Sequence, residues 1–242
     1  PGLQIQDREA FIDYKVGENH YQPPYFRLME RLNLEGGDPA PQVMQPKPIS
    51  LRELGECGAD HLIDIREPLA YASGHLPGSI NLPVGMIPAF AGWFIGEGES
   101  VALVASSQDQ LNAAMEHLVR IALDNVLGGY VGVVPAAASG KTMQSIPMVD
   151  TETVKQRLTD EHDKWTLLDV RDADERAAAA IDGSKHIYVG ELSKRWQDLD
   201  PARSYTLMCA SGMRATVAAG WLDAHGFDDV DVYLGSMGAW KA

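Results

Sequence analysis

The sequence predicts an α/β protein with two domains of the same fold, each a mostly parallel sheet flanked by helices, and an N-terminal helical extension. Three observations predict this fold class. Short apolar runs alternate with segments of helical spacing. Similar motifs recur in the two halves of the chain, and prolines and glycines cluster at the expected joints. Alternating strands and helices are typical of layered domains with parallel strands.

A length of 242 residues leaves room for two domains of roughly 100 residues and an extension. We expect a helix at the start of the first domain, because Ser50 followed by Glu53 is a capping-box pattern. The composition divides the chain into five segments: a helical extension (1–35), a linker (36–48), a first domain (49–134), a second linker (135–147) and a second domain (148–242).

The two domains are related by an internal repeat. Asp64 corresponds to Asp169 and Gly78 corresponds to Gly183, both at an offset of 105 residues. Further along the alignment, the apolar run at 101–104 corresponds to the run at 205–208, at an offset of 104 residues. Two copies of one fold are therefore expected.

One residue of the second copy points to chemistry. Cys209 follows the apolar run 205–208, a predicted strand, and precedes a predicted helix over 215–224. At a strand-to-helix junction, unpaired backbone N–H groups and the positive end of the helix dipole favour a thiolate over a thiol. The pattern predicts a reactive, partly exposed nucleophile. The alternative is a small buried cysteine that packs as a hydrophobic residue.

The loop after Cys209 favours the reactive interpretation. Arg214 places a guanidinium at the helix entrance, which is unusual in a purely apolar core. We expect Arg214 to steer and hold an anionic substrate. The predicted substrate- and anion-binding loop consists of Ala210, Ser211, Gly212, Met213 and Arg214.

The first copy is expected to be catalytically inert. Ala105 occupies the position of Cys209, so this copy has no nucleophile. Its loop lacks the arginine and carries Asp109, which would repel an anionic donor. We interpret His75 as a hydrogen-bonded structural histidine, since no nucleophile lies in its own domain.

Landmarks around the loop resemble those of the rhodanese-like sulfurtransferases in the same order. They are Asp169, Val170 and Arg171, then Glu175, Gly183, the Cys209 loop, Gly226, Phe227 and the run 232–240. The spacing from Cys209 to Arg214, C-x4-R, is similar to that of the sulfurtransferases, whereas the related phosphatases have one residue more. The resemblance implies that Cys209 carries sulfane sulfur as a persulfide. We interpret Asp169, Arg171 and Glu175 as a structural ion-pair network beneath the loop.

The expected activity is transfer of sulfane sulfur from thiosulfate, glutathione persulfide or another low-molecular-weight persulfide to a thiol, sulfite or cyanide. This attack by a thiolate requires no cofactor. Two other classes of function stay open. One is a non-catalytic binding or regulatory module, and the other is a cysteine-dependent phosphatase or arsenate reductase-like enzyme.

The extension, residues 1–35, belongs to neither copy. Its segments 8–13 and 23–33 resemble the closing helices of a metallo-β-lactamase-fold persulfide dioxygenase, an enzyme type that is found fused to rhodanese domains. This resemblance implies a metal-binding domain upstream in the same polypeptide. The alternative is an amphipathic arm that packs on the first copy through Phe26, Met29 and Leu32.

Composition bounds the remaining functions. The net charge of −14 is spread over both halves and leaves no basic stripe, so we expect no nucleic-acid partner. No apolar run is long enough to span a bilayer. Cys57 and Cys209 lie in different copies, which fits a reducing cytoplasm. The seven histidines show no close spacing, and no metal site is predicted.

Overall fold

The computed structural model describes residues 2–18, 21–36, 45–160 and 164–241. Two parallel sheets form its framework. The first has the strand order β2-β1-β3-β4, with β1 (His61–Asp64), β2 (Ser79–Asn81), β3 (Val101–Ala105) and β4 (Val126–Val131). The second has the order β5-β9-β8-β6-β7, with β5 (Met148–Val149), β6 (Trp165–Asp169), β7 (Lys185–His186), β8 (Ser204–Met208) and β9 (Val230–Tyr233).

Helices connect the strands and cover the sheets. The extension contains α1 (Arg8–Gly17) and α2 (Tyr25–Glu35). The first copy contains α3 (Leu51–Glu56), α4 (Pro68–Ser73), α5 (Ile87–Phe94) and α6 (Gln108–Arg120), and is followed by α7 (Val133–Ala138). The second copy contains α8 (Thr151–Asp160), α9 (Ala173–Ala178), α10 (Leu192–Arg195), α11 (Met213–Ala224) and α12 (Ser236–Trp240). Short 3-10 turns lie at Gly2–Gln4, Val84–Met86, Val189–Glu191 and Trp196–Asp198.

The strand order confirms the prediction of two copies of one α/β fold. In the first sheet it is β2-β1-β3-β4, and the corresponding strands of the second sheet follow as β7-β6-β8-β9. The predicted capping box of Ser50 and Glu53 is also confirmed at the start of α3. In the second copy, β8 includes the predicted strand before Cys209, and α11 includes the predicted helix after it.

A buried ion pair is repeated in both copies. Arg66 Nη2 lies 2.7 Å from Asp64 Oδ2, and Arg171 Nη2 lies 2.6 Å from Asp169 Oδ2. In each copy the same nitrogen also donates, at 2.7 Å, to a backbone carbonyl eight residues further along the chain. In each copy the arginine therefore ties the end of a strand, β1 or β6, to the residue after the next helix, α4 or α9. Because both charges are paired and hydrogen-bonded, they tolerate burial.

The two copies share one hydrophobic core. Its largest cluster joins buried side chains of both sheets, and α11 packs on β2 and α4 of the first copy. His75 of the first copy is fully buried; its Nδ1 faces the carbonyl of Tyr71 at 3.1 Å. Its Nε2 lies 3.3 Å from Asp223 Oδ2 on α11. His75 is thus a hydrogen-bonded structural residue that also links the copies.

The predicted second linker, 135–147, is more ordered than its composition suggests. Helix α7 crosses the expected boundary at residue 134, because three alanines after Pro135 favour a helix and proline is tolerated in a first turn. Further on, Gln144 pairs with His75 and Ile146 donates to the carbonyl of Ala72. The segment therefore packs on the first copy. Most of the first predicted linker lies outside the described residues.

The extension packs on the first copy, as the amphipathic-arm interpretation predicts, but with Tyr25 and Leu28 rather than Phe26 at the contact. Leu28 is buried and Tyr25 packs against the core, whereas Phe26 is 43% exposed. The reason is Gly92 in α5, where a Cβ atom would lie only 2.1 Å from the Tyr25 ring. The missing side chain at Gly92 admits the Tyr25 ring and sets the rotation of α2.

Candidate functional site

Cys209 lies directly after β8 at the start of a tight loop that ends at Gly212, before α11. The Gly212 N–H donates to Cys209 Sγ at an N–S distance of 3.1 Å. Gly212 has φ 109°, a left-handed conformation that glycine adopts readily. This turn directs a backbone N–H at the sulfur, which is the kind of donor that anion-binding loops present.

The expectation of a partly exposed sulfur is wrong. Cys209 is only 1% exposed and belongs to the shared core. The reason is that β8 is a central strand, so a residue at its end lies below the rim of the loop. A substrate must therefore deliver its sulfur atom into the loop from the surface.

Residues at the start of α12 hold the Cys209 loop through hydrogen bonds. The Cys209 N–H donates to Ser236 Oγ at 3.1 Å, and Ser236 Oγ donates to the Tyr233 carbonyl at 2.9 Å. The N–H groups of Met237 and Gly238 donate to the carbonyls of Cys209 and Ala210. Sequence reasoning missed this support, although the run 232–240 was among the motifs that carried the family resemblance.

Arg214 is engaged by Glu175 rather than free for a donor. Arg214 Nη1 lies 2.6 Å from Glu175 Oε2, and Nη2 lies 2.7 Å from Oε1. The guanidinium lowers the pKa of the Glu175 carboxyl to about 2, and the carboxylate raises the pKa of Arg214 further. The expectation that Arg214 steers and holds an anion did not include this bidentate contact with a carboxylate.

The predicted ion-pair network of Asp169, Arg171 and Glu175 does not form as one unit, because Glu175 pairs with Arg214 instead. Asp169 and Arg171 form the buried pair, joined by Arg176 Nη1 at 3.4 Å from Asp169 Oδ2. The carboxylate of Glu175 lies outside this pair, because the capping box with Asp172 at the start of α9 turns it toward the loop. Arg171 reaches only the backbone carbonyl of Glu175, at 3.2 Å.

The corresponding loop of the first copy is closed by its own side chains. The Ser106 N–H donates to Gln110 Oε1 at 2.9 Å, and the Gln110 N–H donates to Ser107 Oγ at 3.3 Å. Ala105 is fully buried at the end of β3. Asp109 lies in the first turn of α6. Two amides of this loop, those of Ser106 and Gln110, therefore have partners, and an anion would meet the carboxylate of Asp109.

A cavity of about 410 Å³ lies beside the Cys209 loop, between the two copies. Apart from Glu67, the residues that line it carry no charge, so the cavity favours an uncharged or apolar group over an inorganic anion. The lining residues are Glu67, Pro68, Leu69, Met148, Ser211, Gly212, Met213, Thr216, Val232 and Leu234.

Neither a metal cluster nor a membrane helix is found within the described ranges. No group of three or more histidine, cysteine or acidic residues in these ranges is arranged to hold a metal ion. None of the described helices is long and apolar enough to cross a bilayer. Both cysteines are free thiols.

Comparison with known proteins identifies both copies. The profile of the Rhodanese-like domain matches residues 48–133 and 150–242. The protein named "Putative sulfurtransferase YtwF" of Bacillus subtilis (strain 168) is 32% identical over 96 residues, which are 40% of this chain and 91% of that protein. The "Putative sulfur carrier protein YrkF" of the same organism is 33% identical over 102 residues, 42% of this chain and 55% of that protein.

A solved structure also matches. The human single-domain sulfurtransferase TSTD1 is 24% identical, with a TM-score of 0.36, and the match covers 40% of this chain and 96% of that one. The profile match begins at residue 48, so the extension lies outside it. The resemblance of the extension to a persulfide dioxygenase stays a prediction.

Proposed function

Because this chain belongs to the rhodanese-like family, we propose that it is a sulfurtransferase that carries sulfane sulfur as a persulfide on Cys209. One observation carries the proposal: the Gly212 N–H points at Cys209 Sγ, in the loop between β8 and α11. A backbone donor at this place favours an anionic sulfur both before and after transfer.

The proposed cycle has two displacements at sulfur. The Cys209 thiolate attacks the outer sulfur of a donor; a new S–S bond forms while the donor S–S bond breaks. Thiosulfate leaves as sulfite, whereas an organic persulfide leaves as a thiolate, which takes up the proton that the transferred outer sulfur releases. An acceptor thiolate, sulfite or cyanide then attacks the outer sulfur of the Cys209 persulfide and regenerates the thiolate. No cofactor takes part in either step.

Two features favour a low-molecular-weight organic persulfide, such as glutathione persulfide, over thiosulfate as donor. The charge of Arg214 is already neutralised by Glu175. The cavity beside the loop has no basic lining residue and is largely apolar. A dianion gains little in such surroundings, whereas the uncharged part of an organic donor can be buried.

The wider setting belongs to the same proposal. We place the protein in the cytoplasm, since its two thiols are free. A metallo-β-lactamase-fold dioxygenase domain upstream would handle the same class of persulfide. The first copy acts as a structural partner that supplies one wall of the cavity through Glu67, Pro68 and Leu69.

A second candidate is a non-catalytic rhodanese-like module. The near-complete burial of Cys209, 1% exposed, favours it. The two candidates differ in whether the sulfur is accessible to a donor.

Intact-mass spectrometry tests the proposal. After incubation with glutathione persulfide, the protein is expected to gain one sulfur atom, and cyanide should then remove it as thiocyanate. Cys209→Ser should abolish the gain, while the matched control Cys57→Ser should retain it, because Cys57 lies at the end of α3 in the inert copy. If the wild-type protein gains no sulfur, the non-catalytic module is the better description.

A further inference from the structure

The first copy contributes one charged side chain to the cavity beside the Cys209 loop. Glu67, directly before α4, lines this cavity together with Ser211 and Gly212 of the second copy. Gly212 is the residue whose N–H points at Cys209 Sγ. The copy without a nucleophile therefore places a carboxylate on the wall of the space that borders the loop of the nucleophile.

The Glu67 carboxylate is available to a ligand. Its side chain is exposed and makes no capping hydrogen bond at the start of α4. In the part of the chain that the structure describes, it also has no ion-pair partner. The neighbouring guanidinium of Arg66 is buried, where it pairs with Asp64 and donates to the carbonyl of Gly74. The charge of Glu67 is thus not used by the fold.

No basic side chain balances Glu67 across the cavity. None of the described residues that line the cavity is a lysine, an arginine or a histidine. Arg214, at the start of α11, is not among them, and Glu175 holds both of its terminal nitrogens. The lining residues therefore carry one net negative charge.

The other lining residues strengthen the effect of this charge. They include Leu69, Met213 and Leu234, whose apolar side chains cannot solvate an ion. A cation among such side chains loses part of its hydration, so a nearby carboxylate attracts it more strongly than in open water. An anion in the same place is repelled. The volume of about 410 Å³ lies within the range of small-molecule sites.

We propose that Glu67 is a specificity-determining residue, which selects organic persulfides with an ammonium group over analogues that carry a carboxylate in its place. This inference rests on the proposed function and narrows its substrate class. The bonds that form and break are those of the proposed cycle. The first copy, although it has no nucleophile, thus takes part in the choice of donor.

The first test measures access to Cys209 and requires no sulfur transfer. In the Cys57→Ser background, Cys209 is modified with two methanethiosulfonates, the cationic 2-aminoethyl and the anionic 2-sulfonatoethyl compound. The thiolate attacks the divalent sulfur of the reagent, a mixed disulfide forms and methanesulfinate leaves. Glu67→Gln should slow the cationic reagent and accelerate the anionic one, each by about two- to fivefold, as expected for a solvent-accessible ion pair. Intact mass follows both rates.

Controls separate the local charge from the net charge. Asp109→Asn removes an equal charge from an exposed residue of the same copy that does not line the cavity, and should leave the ratio of the two rates unchanged. Glu67→Lys should lower the ratio of cationic to anionic rate further than Glu67→Gln. High salt should reduce the difference between the wild type and Glu67→Gln, since it screens the charge.

Three results of this test would overturn the inference. One is an unchanged ratio of the two rates in both Glu67 variants. Another is an equal change in Asp109→Asn, which would make net charge the cause. The third is the absence of any modification of Cys209, since the cavity would then give no access to the sulfur.

Turnover distinguishes the inference from the proposed function. The donors are the persulfides of cysteamine, 2-mercaptoethanol and 3-mercaptopropionate, whose two-carbon chains end in a cationic, a neutral and an anionic group. With cyanide as acceptor, Glu67→Gln should lower kcat/KM for the first, leave the second unchanged and raise the third, by the same factors as above. If the wild type transfers sulfur from none of them, the proposed function fails, and the modification rates still decide whether Glu67 selects charge at Cys209. If Glu67→Gln changes all three equally, or none, the proposed function stands and the inference is wrong.

Discussion

Glu175 holds both terminal nitrogens of Arg214, at 2.6 and 2.7 Å, across 39 residues of sequence. The contact joins the first turn of α9 to the first turn of α11, the helix that follows the Cys209 loop. It makes the rim of the loop electrically neutral where the sequence predicts an exposed positive charge. We therefore expect the donor specificity of the site to depend on how firmly this pair is held.

Replacing Glu175 with glutamine should improve the use of thiosulfate. Glutamine keeps the capping box but removes the charge that occupies Arg214. We expect kcat/KM for thiosulfate to rise roughly tenfold, equivalent to about 1.4 kcal/mol, within the range of a charge-assisted hydrogen bond. Steady-state assays with cyanide as acceptor measure the change.

The control for this variant is Glu191→Gln, which removes an equal charge nearby from a residue that pairs with Arg195 instead. It should change kcat/KM for thiosulfate by less than about twofold, as expected for an exposed pair. An equal rise in both variants would show that net charge, rather than release of Arg214, controls the donor.

Stability should depend on pH through Glu175. Because its pKa is lowered from 4.5 to about 2, the folded state favours the carboxylate. The stabilisation is complete above about pH 4.5 and is lost as the pH falls toward 2. Since the Glu175 side chain is 32% exposed, we discount the contribution to about 1–2 kcal/mol.

Urea denaturation of the wild type and the Glu175→Gln variant, at pH 6 and at pH 3, checks this pH dependence. The unfolding free energy of the wild type should exceed that of the variant by more at pH 6 than at pH 3. A difference that is constant between the two pH values would mean that the carboxylate charge contributes nothing to stability.

A cysteine introduced by Ala105→Cys should remain unreactive in the first copy. The Ser106 amide is already bonded to the Gln110 side chain, and Asp109 opposes a thiolate. In a background without the other two cysteines, alkylation at pH 7 should be at least about tenfold slower than at Cys209.

Freeing the Ser106 amide by Gln110→Ala should raise the alkylation rate of the Ala105→Cys variant. The comparison isolates the effect of an open backbone donor near the sulfur. Alkylation of the Ala105→Cys variant as fast as that of Cys209 would show that the fold alone activates a thiol at this position.

The junction of the two copies should not tolerate a side chain at residue 220. A Cβ atom on Gly220 would lie 2.8 Å from Tyr71 Oη, in the contact between α11 and the first copy. We expect Gly220→Ala to cost about 1–3 kcal/mol through overpacking, reduced by up to about 1 kcal/mol of helix propensity.

Tyr71→Phe removes the clashing hydroxyl and provides the matched background. A double-mutant cycle by urea denaturation should show that Gly220→Ala costs less there. Equal costs in the two backgrounds would place the strain elsewhere.

Local patterns in the sequence determined much of this protein. The strand and helix around Cys209, the capping box of Ser50 and Glu53, and the repeat that places Ala105 opposite Cys209 are all encoded over short stretches. The α/β class and the two-domain organisation follow from these patterns, because hydrophobic periodicity and turn residues report the local backbone.

The tertiary structure determined which distant residues contact the site. The contact of Glu175 with Arg214, the support of Cys209 by Ser236 and the position of Glu67 beside the Cys209 loop join residues that are 27 or more positions apart. Periodicity shows which face of an element is buried but not which element covers it. The burial of Cys209 and the exposure of Phe26 were misjudged for this reason, since each depends on the packing of distant segments.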